Sequence, residues 1–226
     1  MIRYFKIYSV TLFFILPAIL NSHGVPTGDQ GYIQEVSGVK FVPFMYLGAK
    51  HMVTGYDHIA FLVGVVFFLR RLKDVLLYVS MFALGHSITL IGGVLLETGV
   101  NAYIVDAIIG VSVIYKGVEN IGGFQKLGWN FDTRIAVLVF GLFHGLGLAT
   151  KVLDLGVSQN GLLTNLIAFN VGVEIGQLIA LAMILIVISF WRKTDGFFRH
   201  AYTANVAMMS AGFLLFAYQL TGYFVA

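Results

Sequence analysis

The chain has no cysteine among its 226 residues. That excludes disulfides, thiolate nucleophiles, iron–sulfur clusters and cysteine-linked lipid anchors, and it leaves any metal to nitrogen and oxygen ligands. Charge is scarce too: 11% of residues are Asp, Glu, Lys or Arg, 58% are hydrophobic, and the formal net charge is +3. So little charge cannot cover the surface of a soluble domain of this length, and without a basic patch there is no footprint for nucleic acid. Proline is rare at 3 residues while glycine reaches 26, a ratio that suits membrane helices whose backbones approach closely at small residues. The class that remains is all-α, a polytopic helical membrane protein whose first partner is the lipid bilayer.

The apolar residues that are present fall into segments. Arg3 and Lys6 precede an apolar run over residues 7–20, and Asn21 and Ser22 follow it. This is the layout of a cleavable signal peptide over residues 1–22. A cut after Ser22 makes His23 the mature amino terminus, where amine and imidazole together can chelate a metal. Residues 23–40 then form a polar extracytoplasmic segment, and residues 41–226 a single domain of six transmembrane helices. The apolar stretches run over 53–69, 75–96, 102–121, 135–153, 162–191 and 202–225, with an interfacial helix expected over 41–52.

The cations orient this array. With the mature amino terminus outside, the inner loops carry Arg70, Arg71, Lys73, Lys126, Arg134, Arg192, Lys193 and Arg199, and the outer segments only Lys40, Lys50 and Lys151. The positive-inside rule is satisfied, and both ends of the mature chain lie on the extracytoplasmic side of a bacterial inner membrane.

Ionisable groups at membrane depth are costly enough to mark sites and pathways. His51, Thr54 and His58 share a helix face if the helix continues through Gly55, and Asp57 sits beside His58. Asp57 can serve as a ligand, as the orienting partner of an imidazole, or simply as a helix cap. His86 and His144 fall about midway through their own stretches, and the Gly141/Gly145 pair next to His144 invites close helix contact. Asp106 lies one turn inside its stretch. Asn170, Glu174 and Gln177, spaced by four and three, read as one polar stripe, with Glu174 as an anionic ligand and the two amides as its supports. The expected metal set is therefore His51, Asp57, His58, His86, Asp106, His144 and Glu174. Lys116 and Glu119, one turn apart near the cytoplasmic end, belong to a different level and read as a neutralised pair or an exit gate.

The segments HMVTGYDHIAFL, FALGHSITL, VNAYIVDAIIGVSVIYKGVEN, FGLFHGLGLA and FNVGVEIGQ, in this order, resemble the HupE/UreJ family of bacterial membrane proteins over about residues 43 to 180. The resemblance implies a six-span inner-membrane protein with a signal peptide, concerned with nickel supply, and it points at His51, Asp57, His58, His86, Asp106, Glu119, His144 and Glu174. Where the family is expected to favour Glu, this chain has Asp106. Two functions follow from such ligands. One is transport of a divalent cation, nickel first. The other is a zinc-dependent intramembrane hydrolase, in which the same His/Asp/Glu cluster holds Zn²⁺ with one position open to water. A haem held axially by His86 and His144 is a third arrangement.

Overall fold

A computed structural model describes residues 27–225; the segment expected to be a signal peptide and His23 fall outside them. Among the described residues the secondary structure is entirely helical: α1 (Thr27–Glu35), α2 (Phe41–Thr54), α3 (Tyr56–Val66), α4 (Leu72–Leu95), α5 (Ala102–Asn120), α6 (Gly123–Lys126), α7 (Thr133–Asp154), α8 (Leu162–Arg192) and α9 (Gly196–Val225). Local chemistry sets several boundaries. The Asn101 side chain accepts from the amides of Tyr103 and Ile104 to start α5, and Asp132 accepts from Arg134 to start α7. Gly161 begins α8 at φ 77°, and a Cβ there would meet the carbonyl carbon of Gly38 at 2.7 Å. Asn165 then accepts from the Lys40 amide at 2.7 Å and donates to Gly38 O at 2.9 Å. The start of α2 is thereby tied to the start of α8.

Polarity runs inside out. Leu84, Ile88, Leu178, Ile179, Ile186 and Phe213 are exposed, whereas four histidines, Asp57, Asp106, Lys116, Asn170, Gln177 and Asn205 are buried. This is the distribution a protein takes when its solvent is lipid. Among the described residues four helices, α4, α7, α8 and α9, are long and apolar enough to cross a membrane.

Three close helix pairs organise the bundle. In the α4/α7 pair a Cβ on Gly141 would run into the Phe82 backbone, and one on Gly145 into the His86 carbonyl. In α2/α8, Gly172 abuts Met45 and Gly176 would place a Cβ 2.6 Å from Ala49 O. In α5/α9, a Cβ on Gly110 would lie 2.8 Å from the Phe216 amide nitrogen, and one on Gly117 2.9 Å from Met209 Cβ. Residue numbers rise together across the first two pairs and oppose each other in the third, so α4 and α7 are parallel, α2 and α8 are parallel, and α5 and α9 are antiparallel.

The region of residues 41–69 differs from the sequence expectation. No single helix occupies residues 53–69; instead Gly55, extended at φ −72° and ψ 100°, separates α2 from α3. Residues 41–52 do not form a detached interfacial helix either. They belong to α2, which lies along α8, while the carbonyls of Val66 and Phe67 just beyond α3 accept from Arg192 at the far end of α8. The 14 residues of α2 and 11 of α3 thus act as one broken rod of about 37 Å, enough for a hydrocarbon core of about 30 Å.

Candidate metal centre

The break at Gly55 positions the first histidines. His51 occupies the last turn of α2, and its carbonyl accepts the Gly55 amide at 2.9 Å. Asp57 and His58 lie in the first turn of α3. A Cβ on Gly55 would lie 2.7 Å from His58 Nδ1 and 3.2 Å from Asp57 Oδ1, so glycine is the residue that lets the backbone pass this close. The His51 and His58 rings meet edge-on with centroids 4.9 Å apart. They converge because the helix breaks, not because it continues, and Thr54 is left out: it is exposed, with its hydroxyl returned to Lys50 O at 2.8 Å.

From α4, His86 completes the group, its ring 6.3 Å from His51 and 6.1 Å from His58. One ring nitrogen from each of His51, His58 and His86 lies within 4.8 Å of the others, and all three residues are buried. An ion held at about 2.0–2.1 Å from each nitrogen needs N···N separations of roughly 3.3 Å, so the three rings close on it by modest rotation. The donor set is borderline-soft nitrogen in an apolar surround of Phe61, Phe82 and Phe169, and such donors suit Ni²⁺, Co²⁺ and Zn²⁺.

Two groups support the trio. Asp57 Oδ1 lies 3.2 Å from His58 Nδ1; with the proton on Nδ1, that nitrogen donates to the carboxylate and Nε2 presents its lone pair. This contact with the His58 ring matches the reading of Asp57 as the partner that orients an imidazole. His144, from α7, meets the His58 ring edge-on with centroids 5.1 Å apart and donates from Nδ1 to Phe140 O at 2.7 Å, which places its lone pair on Nε2. Thr89 donates to Leu142 O at 2.6 Å and fixes α4 to α7 beside these rings.

The remaining predicted residues are placed elsewhere. Asp106 forms an ion pair with Lys151 at 2.7 Å between α5 and α7, outside the three-histidine group. Glu174 does not join the histidines: it is exposed in a groove of about 490 Å³ between α4 and α8, together with Ser80, Ser87 and Gln177. The polar stripe is split. Asn170 is buried and donates to Leu166 O at 3.0 Å, and Gln177 is buried and donates to Val79 O at 3.4 Å, so both amides serve backbone carbonyls and not Glu174.

Lys116 pairs with Glu119, as their spacing predicts, and Thr133 of α7 donates to the same carboxylate. Beside them Asn120 donates to Gly64 O at 2.9 Å and to Asn205 Oδ1 at 2.8 Å. Thr133 and Asn205 were absent from the sequence reading. A buried amide within the last apolar stretch was the signal available for Asn205. The two ion pairs lie 10 to 13 residues apart on α5, about 15–20 Å, and on α7 His144 lies in sequence between Thr133, which donates to Glu119, and Lys151.

No curated protein and no solved structure matches the chain. A family model described as HupE / UreJ protein matches residues 27–226, taking in every helix described and the whole histidine cluster. The chain belongs to the HupE/UreJ family.

Proposed function

We propose that the protein is a permease for a divalent transition-metal cation, with nickel as its cargo. The observation that carries this reading is the convergence of His51, His58 and His86 at the break in a helix that lies along α8. Broken helices place binding groups inside membrane transporters in this manner. The association of the family with nickel and cobalt transport supports the same cargo class.

In this reading the broken rod α2–α3 and helices α4, α5, α7, α8 and α9 make six crossings of the bacterial inner membrane. The parallel and antiparallel senses of the three close pairs agree with that alternation, and both ends of the mature chain lie outside. The cation enters past Asp106 and Lys151, exchanges water for imidazole, and leaves past the Lys116–Glu119 pair. Asp57 orients His58 throughout. Binding requires neutral imidazole, so protons compete with the metal and release is favoured as pH falls through the histidine range.

In the hydrolase alternative the same imidazoles would hold Zn²⁺ with one position open to water, and the carboxylate beside them, Asp57, is engaged by His58. Titration calorimetry on purified protein, with metal flux into sealed vesicles, tests the assignment. One Ni²⁺ is expected per chain, lost in His51→Ala/His86→Ala together with the flux. Unchanged stoichiometry in that variant, or tight non-exchanging zinc with turnover of peptide or lipid, would sink it.

A further inference from the structure

Below the Gly55 break, α3 parts from α8. Along α2 the two backbones are closed by Gly172 and Gly176, but α3 touches α8 only sparsely. The gap between them is a crevice of about 380 Å³ whose walls include Ile59, Val63 and Phe67 on one side and Ala180, Met183 and Trp191 on the other. Its lining is entirely apolar, and Met183 is 48% exposed, so the crevice opens sideways into the surroundings of the bundle and not into the histidine cluster.

The end of the crevice carries charge of one sign. Arg192 follows Trp191 directly, and it lies near enough to Arg70 for the two guanidinium groups to interact electrostatically. Among the described residues neither makes an ion pair. Arg192 donates from Nη2 to Val66 O at 2.6 Å and also to Phe67 O; a guanidinium has five N–H groups, so others remain for a further acceptor. Two neighbouring guanidiniums without a carboxylate match a phosphate bearing net negative charge.

We infer that this crevice is a binding site for one anionic phospholipid, its acyl chain lying between α3 and α8 and its phosphate held by Arg70 and Arg192. An acyl chain is the occupant that fits an apolar slot open to hydrocarbon, and the paired arginines select its headgroup. The bound chain fills the space that glycine contacts close elsewhere, and so braces the helix that carries Asp57 and His58. The inference does not depend on what the histidines bind.

Native mass spectrometry tests it on the purified protein, exchanged into phosphatidylglycerol and phosphatidylcholine with matched acyl chains. The wild type is expected to retain one phosphatidylglycerol. Met183→Trp, which fills the crevice from its exposed wall, is expected to abolish retention. Arg70→Gln, a change at an exposed residue, is expected to keep a bound lipid but lower the preference for phosphatidylglycerol roughly fivefold. Equal retention of the two lipids by the wild type, retention unchanged in Met183→Trp, or a dimer in place of the lipid adduct would each overturn the assignment.

Discussion

In the proposed permease, Asp57 is a side chain that would matter without touching the cargo. Its carboxylate fixes the tautomer and orientation of His58, and loss of such a partner typically lowers metal affinity about 10–100-fold. Asp57→Asn, which keeps the shape and removes the charge, is expected to weaken Ni²⁺ binding by that factor in calorimetry. Glu174→Gln is expected to leave stoichiometry and affinity unchanged, because Glu174 faces the groove between α4 and α8. Equal losses in the two variants would place Glu174 in the site after all. The histidines were legible in the sequence because an imidazole at membrane depth has few bland explanations. Glu174 was misplaced for a geometric reason. Residues spaced by three and four share a face only within a broad arc, and α8 divides that arc between a buried contact and an open groove.

At the scale of the element, the break at Gly55 was the least legible feature. A hydropathy window sees residues 53–69 as one span and 41–52 as a lesser amphipathic piece, since nothing in local composition records that α8 runs beside both. The Gly141/Gly145 pair was easier to read, because small residues four apart in a helix have little other purpose in lipid. Gly55→Ala is expected to push against His58 and Asp57, costing about 1–3 kcal/mol as overpacking. Thermal unfolding with and without Ni²⁺ checks it: the variant should melt lower and gain less from the metal. A variant that melts and binds like the wild type would mean that the ring positions do not depend on the break.

For the whole molecule, the absence of cysteine becomes an experimental advantage. Single cysteines introduced at exposed loop positions report sidedness without background. Leu127→Cys, between α6 and α7, is expected to react with an impermeant maleimide only after lysis of spheroplasts, and Asn160→Cys, before α8, while they are intact. The reverse pattern would invert the proposed topology. The inside-out distribution of polarity was readable from composition alone, and the positive-inside count supplies the orientation that is proposed. The relative directions of the helix pairs were not readable, because they depend on which helices meet, and small-residue spacing is silent about partner and sense.

The interruption at Gly55 also has an electrical consequence. The carbonyl end of α2 and the amide end of α3 approach each other there, and the peptide dipoles of the two helices present partial charges of opposite sign, each of about half an elementary charge. A continuous helix offers an incoming cation no such terminus in its middle. Here the carbonyl end of α2 attracts the ion while the amide end of α3 repels it, and Asp57, in the first turn of α3, tips that balance toward positive charge. Without the carboxylate the two helix ends would cancel; with it the balance favours positive charge, as the proposed cation site requires.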